Sequence, residues 1–290
     1  MTDNTAGILW ALLAAIVLAF QGVASARPLR QMGVLAASVL TNAINVVVLG
    51  ALGFFFYEKG QASLEGIAWF SLLGITAYSF GRFVYYKALF TIGPPRLTTI
   101  MATAPLAALF LAVAFLGERP GAAVLAGTGL VIAGVMFVSY EPTEKGWFHR
   151  GIVWGFASAL SLGVSTFIRK KGLAAFPNPM LTVAWANLLG VFVLLSVRRF
   201  ASPQLFEWGG RSAVIVIALL AVLNSANQVF MNLAVLRGDV SVVTPIITSS
   251  PVFSLLFTAI LIRDLERVRL TMAIGALITV AGMIFIAIGR

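Results

Sequence analysis

The 290 residues contain no cysteine, a single histidine, and ten acidic side chains against twenty lysines and arginines. Without cysteine there is no disulfide framework, no thiolate nucleophile and no cysteine-based metal site, and the redox compartment is left open. His149 cannot build a metal centre alone, so neither a metal nor another cofactor is expected. A His/Glu zinc motif, a nucleophile elbow, a Walker loop and paired intramembrane carboxylates are also missing, and an enzyme is not expected. Turnover in detergent would point instead to an intramembrane enzyme, and conductance well above carrier rates to a channel, the two competing classes.

Charge of either sign is scarce. Only 10% of residues are charged and 60% are hydrophobic, with a mean hydropathy of +0.99. A soluble domain carries about a quarter charged residues, so this composition belongs to a membrane protein. The net charge of +10 sits mostly in short gaps between apolar runs, where it serves lipid headgroups and topology. No basic stripe is interleaved with exposed aromatics, which argues against nucleic acid as a partner. The partners expected are the lipid bilayer and a small-molecule substrate, with the chain a monomer or homodimer.

Ten apolar runs are long enough to cross a hydrocarbon core: 7–26, 34–56, 66–91, 97–116, 121–140, 151–174, 180–197, 213–236, 242–262 and 269–289. Backbone polar groups in lipid must be satisfied within the segment, so each run is predicted to be an α-helix. Between them lie breaks such as Gly93-Pro94-Pro95, Glu118-Arg119-Pro120 and Arg237-Gly238-Asp239. Ala24-Ser25-Ala26 resembles a signal-peptidase site, but no Lys or Arg precedes the first run and the run is too long for a signal h-region, so its retention is expected.

The chain repeats itself. At an offset of 146, Ser79 pairs with Ser225, Ala88 with Ala234, Pro105 with Pro251 and Glu118 with Asp264. Gly7-Ile8-Leu9-Trp10 recurs as Gly151-Ile152-Val153-Trp154 at 144, and Gly134-Val135-Met136-Phe137 as Gly282-Met283-Ile284-Phe285 at 148. Two five-helix repeats follow, residues 1–146 and 147–290. Five is odd, so the second enters the membrane from the opposite side, and the fold class predicted is all-α, with ten transmembrane helices in two inverted repeats. Trp10, Trp69, Trp147 and Trp154 lie at span ends as interfacial anchors.

The polar residues inside the spans are the candidate site. Tyr78, Ser79, Arg82, Tyr85 and Tyr86 recur at spacings of three and four on the third span, and Asn224, Ser225, Asn227, Gln228 and Asn232 answer on the eighth. These faces are expected to meet across a central cavity bordered by spans one, three, four, six, eight and nine, with the fifth and tenth spans outside it as scaffold. Helix–helix hydrogen bonding without a cavity is the alternative. The repeat pairs Gln21 with Ser165 and Asn42 with Asn187, which extends the set, and Trp185 is a further candidate for the lining. The substrate-binding residues predicted are therefore Gln21, Asn42, Tyr78, Arg82, Tyr86, Ser165, Trp185, Asn187, Asn224, Asn227 and Gln228. Pro105 and Pro251 are the predicted hinges, each expected to kink the middle of its span.

Arg82 reads as the one charge far from both ends of a span, sixteen residues after Gly66 and so about 24 Å along the helix. It either snorkels to the headgroups or stays in the cavity to meet a substrate carboxylate or phosphate; its repeat partner is the neutral Gln228. None of the ten acids falls inside an apolar run, so proton coupling by an intramembrane carboxylate is not expected.

Tyr85-Tyr86-Lys87-Ala88-Leu89, then Pro105 followed by Leu116-Gly117-Glu118-Arg119, then the Gly127 to Gly134 span, give the chain a resemblance to the drug/metabolite transporter superfamily, EamA type. The second half matches through Asn232-Leu233-Ala234-Val235, Pro251 and the Gly275 to Gly282 span. It departs at Arg263-Asp264-Leu265-Glu266, where the family usually has Gly-Glu-Arg. The resemblance implies a multi-pass secondary transporter, facilitator, exchanger or exporter, of the bacterial cytoplasmic (inner) membrane, with cytoplasmic termini. Loop charges, with Arg169, Lys170 and Lys171 counted on the side of the termini, expect the termini outside instead. Small polar or amphipathic metabolites, amino acids first among them, are the expected substrates; hydrophobic drugs are the alternative.

Overall fold

The computed structural model describes residues 4–25, 27–92, 94–139, 151–261 and 270–289, and every regular element among them is helical. In chain order the first half holds α1 (Asn4–Ser25), α2 (Val34–Phe55), α3 (Leu64–Ile75), α4 (Arg82–Ile92), α5 (Pro94–Met101), α6 (Ala104–Leu116) and α7 (Ala122–Ser139). The second holds α8 (Ile152–Ala175), α9 (Leu181–Ser196), α10 (Arg211–Arg237), α11 (Val240–Thr248), α12 (Ser250–Leu261) and α13 (Leu270–Ile288). Nine helical stretches of the described residues are long and apolar enough to cross a membrane, and Ala122–Val138 is a shorter apolar tenth. Large apolar side chains such as Phe54, Phe110 and Leu256 project outward, where a lipid-facing surface puts them.

Three spans depart from the straight helices expected. The third joins α3 to α4 through a π-helical segment, Thr76–Gly81, whose wider turn is stitched by the Ser79 hydroxyl donating to the Gly74 carbonyl five residues back (3.0 Å). The Thr76 carbonyl gains a second-half partner, the Ser161 hydroxyl at 3.0 Å. The repeat partner of this stretch lies inside the unbroken 27-residue α10, so the two copies differ here.

The fourth and ninth spans are each two short helices, not one kinked helix. Proline lacks an N–H and fits the first turn of a helix, and Pro105 and Pro251 each stand second in α6 and α12. The chain breaks just before them, identically in both halves: the Thr103 hydroxyl donates to the Ile100 carbonyl (2.7 Å) and its repeat partner Ser249 to that of Ile246 (2.6 Å).

The inversion is visible in how equivalent helices meet. α7 packs on α13 with Gly127 against Gly282 and Gly134 against Gly275, so sequence numbers rise along one helix as they fall along the other. α2 meets α9 in the same sense, Gly53 against Leu181 and Gly50 against Ala184. Two copies of one helix can cross antiparallel only if the axis relating them is perpendicular to both, that is, in the membrane plane.

The glycines set how close α7 and α13 come. A Cβ added at Gly127 would lie 2.6 Å from the Gly282 carbonyl oxygen, and one at Gly282 would lie 2.7 Å from that of Gly127. Such contacts are the packing device of helices in lipid, where no hydrophobic effect drives association. Gly282→Leu is expected to lower the stability of the detergent-solubilised protein by about 2–3 kcal/mol through overpacking, whereas Leu277→Ala, at an outward position, should change it little; thermal unfolding of the two variants checks this.

Candidate functional site

A chamber lies between the halves. It is made of three neighbouring cavities of about 490, 240 and 260 Å³, which share walls at Leu18 and Gly22, at Arg82, and at Tyr85, Met101 and Leu162. One wall is polar, with Gln21, Ser25, Ser38, Thr41, Arg82 and Asn224. Another is apolar, with Leu97, Met101, Val135, Met231 and Ile247, and a third carries Ser158, Ser161 and Ser165 from α8. No acidic side chain of the described residues lines it. α2 contributes Ser38 and Thr41, and α7 contributes Val135, so the lining reaches beyond the six spans expected. The chamber extends to Ser25 and Leu29, on the side of the molecule where α1 ends and α8 and α10 begin.

One helical turn beyond Ser165 and Asn224, the interior closes on a charge. Arg169 of α8 is 4% exposed and is held by neutral acceptors. Its Nη1 donates to Asn232 Oδ1 (2.5 Å), and its Nη2 to the Tyr78 hydroxyl (2.7 Å) and to Gln228 Oε1 (2.9 Å). The Tyr78 hydroxyl donates in turn to Gln228 Oε1 at 2.8 Å, and Asn232 Nδ2 to the Pro179 carbonyl at 2.8 Å. The π segment supplies Tyr78 from the first half; the other members come from the second. An arginine at the membrane interior costs about 2.5–3.5 kcal/mol, and three charge-assisted hydrogen bonds are what this one receives against that cost.

A second cluster joins α1, α2, α9 and α10. Asn45 Nδ2 donates to Asn187 Oδ1 (3.0 Å) and Asn224 Oδ1 (2.9 Å), and Asn45 Oδ1 accepts from Ser225 Oγ (2.9 Å). Asn224 Nδ2 reaches Gln21 Oε1 at 3.3 Å, and Gln21 Nε2 the Leu220 carbonyl at 2.9 Å. Beside it Asn42, fully buried against Gly190, has no hydrogen-bond partner among the described residues for either amide atom, and Asn227 has none there for Oδ1.

The EamA-like transporter family matches the chain twice, at residues 5–140 and 149–288. The chain belongs to that family. A crystal structure of a protein with 18% sequence identity superposes with a TM-score of 0.79 over 98% of this chain and 95% of that one, a likeness of fold. No curated protein matches. The molecule is thus a multi-pass membrane transporter of the drug/metabolite superfamily, in which transport and not catalysis is the family's work.

The predicted residues are distributed unevenly over the transporter. Gln21, Arg82, Ser165 and Asn224 line the chamber. Tyr78 and Gln228 belong to the Arg169 cluster, Asn187 to the Asn45 cluster, and Asn42 and Asn227 are buried without lining the chamber. Trp185 stands apart: 40% exposed, it donates to Ser71 Oγ (2.8 Å) on the outer face of α3 and α9. The side chain of Tyr86 lies outside the described residues, as do His149, Asp264 and Glu266.

Arg82 is not the one charge deep in a span. The loop-charge count places Arg169 with Lys170 and Lys171 at the end of the 151–174 run, whereas α8 continues to Ala175 and buries Arg169 inside the molecule. Its signal was its place one turn after Ser165. Asn45, three residues after Asn42 on the same face of an apolar span, was equally readable. Arg82 itself has no hydrogen-bond partner among the described residues and faces the chamber, while Lys87 one turn further lies over the Trp154 ring at 4.2 Å.

Partnered and unpartnered members of these clusters should respond oppositely to truncation. Tyr78→Phe, which strips Arg169 and Gln228 of a shared hydroxyl, is expected to lower stability by about 1–3 kcal/mol. Asn42→Leu, which removes two buried amide atoms that make no bond, should leave the unfolding temperature unchanged or raise it. Scanning fluorimetry of both variants in detergent makes the comparison.

Proposed function

We propose that the protein is a secondary transporter of small polar or amphipathic metabolites, with amino acids the leading class, working by alternating access at the chamber between its halves, residues 1–146 and 147–290. The observation that carries this reading is the chamber's two-sided chemistry. Amides and hydroxyls of Gln21, Ser38, Thr41 and Asn224 suit the polar end of a zwitterion, and the wall of Leu97, Met101 and Ile247 suits an apolar side chain. A few hundred Å³ matches a solute of that size. The breaks before Pro105 and Pro251 are the hinges in this reading, and the bacterial cytoplasmic membrane is its location.

Arg82 gives the polar wall its charge. With no acid of the described residues facing it, a substrate carboxylate or phosphate is its natural partner, held bidentately by the planar fork. In proteoliposomes Arg82→Gln is expected to weaken uptake of a zwitterionic or anionic substrate at least ~10-fold, about 1.4 kcal/mol. Arg82→Lys should restore it in part, and Lys87→Gln should matter far less. Wild-type uptake by a well-folded Arg82→Gln variant would return Arg82 to a snorkelling role.

Export of hydrophobic compounds is the second reading, favoured by the breadth of the apolar wall. Protein that moves no amino acid or related metabolite but protects cells from hydrophobic drugs would select it. In either case no carboxylate of the described residues lines the chamber to serve a proton relay. Flux should therefore survive collapse of the proton gradient at constant voltage, and strict dependence on that gradient would contradict facilitated diffusion or exchange.

A further inference from the structure

Because the halves repeat, a contact on one side of the molecule has a counterpart on the other that can be named from the sequence. On the side where α1 begins, α6 packs against α11. The counterparts α12 and α5 border the chamber instead, with Leu97 and Met101 on one side of the gap and Pro251 and Ser254 on the other.

Polar groups crossing between the halves fasten the packed side. Gly117, with a left-handed φ of 69°, ends α6 and turns the chain so that Glu118 meets the first turn of α11. The Glu118 carboxylate accepts from the backbone N–H of Val240 (2.8 Å) and Ser241 (2.9 Å) and from the Ser241 hydroxyl (2.6 Å). Asn4 and Asp239 exchange two hydrogen bonds, from Asn4 Nδ2 to Asp239 Oδ2 (2.9 Å) and from the Asp239 amide to Asn4 Oδ1 (2.8 Å). Within the second half Lys170 Nζ donates to the carbonyls of Val235 (2.9 Å) and Gly238 (2.7 Å), in the field of Asp239 and of Glu118 from the first half.

The repeat does not carry the parts to rebuild this on the other side. Val240 and Ser241 correspond to Pro94 and Pro95, neither of which has an N–H to give. Gly117 corresponds to Arg263, for which a left-handed turn is costly, Asp239 to Gly93, and Lys170, at the offset of 144, to Ala26. Of the latch only the acid persists, as Asp264.

We infer that Glu118 is a positioning residue of the transport cycle: by capping α11 it latches one side of the path, and because prolines stand at the matching positions of α5 and have no N–H to accept from, the resting transporter favours the conformation with the chamber open between α5 and α12. Glu118 acts through α11 and does not touch the transported solute. The inference rests on the alternating-access reading, and its test needs no substrate, so the two can fail separately.

The chain has no cysteine, so single reporters can be placed freely. Val243→Cys on α11 is fully buried on the latched side, and Ser254→Cys on α12 lines the chamber. Both are labelled in nanodiscs with a charged maleimide, with and without Glu118→Gln. The expected result is reciprocal: labelling at 243 rises about tenfold, the effect of ~1.4 kcal/mol in the conformational equilibrium, while labelling at 254 slows. Unchanged rates, or rates rising at both positions as loosened packing would make them, overturn the inference. If Glu118→Gln does not yield folded protein, Glu118→Asp, which keeps the charge but shortens its reach, should shift the rates in the same directions by less, and unchanged rates there overturn it as well. A reciprocal shift in a protein that moves no solute would uphold the latch and reject only the transport reading.

Discussion

An arginine cannot shed its charge, so wherever α8 carries Arg169 the protein must supply acceptors for it. Lipid offers none, and among the described residues no carboxylate bonds it. Much of the interior is arranged around that constraint. α10 presents Gln228 and Asn232 one turn apart, the chain before α9 lends the Pro179 carbonyl to fix Asn232, and Tyr78 arrives from the other half. Since the fork fixes the directions of its donors, these helices are held in register as well as in contact. The chamber ends where this cluster begins.

The same constraint explains an asymmetry within a repeat. Arg169 corresponds, at the offset of 144, to Ser25, which lines the chamber. The third span, whose copy is the regular α10, contains the π segment that delivers Tyr78. Duplication provides the scaffold, in which α7 meets α13 and α2 meets α9 through small residues. Departures from duplication, at Arg169, at the π segment and at the latch, provide a molecule whose two sides are not interchangeable.

Much of the fold could be read from the sequence because lipid permits so little else. Runs of twenty apolar residues must be helices, and an odd number per repeat must invert the copy. The helix breaks at Ala102–Thr103 and at Ser249 stand where the sequence predicts mid-helix kinks, because proline removes the same N–H wherever it stands; what decides is whether a helix begins there, a tertiary matter. The π segment left no mark in the pattern of spacings. At the site, residue type led to Gln21, Arg82, Ser165 and Asn224, which line the chamber, and misled at Trp185, since an indole in a span suits a lipid-facing groove as well as a cavity. Arg169 is masked by its neighbours: three consecutive basic residues near the end of a predicted span read as headgroup charges, and only the packing shows that the first of them turns inward.

Among the described residues, two guanidinium groups and no acid line or close the chamber, an excess of positive charge that the described side chains do not balance. The two are not equivalent. Arg169 has its hydration replaced by fixed dipoles and is a settled part of the fold, whereas Arg82, half-buried at the chamber wall, has nothing of the kind among the described residues. In the alternating-access reading proposed above, water serves Arg82 while the chamber is open, and closing the chamber removes that water and makes the unpaired charge more costly. An occupant bringing an anionic group relieves that cost at the moment of closure, and a neutral occupant does not. Selectivity for charge can thus arise from how unwilling the empty chamber is to close, with no need for a dedicated pocket that recognises the rest of the solute.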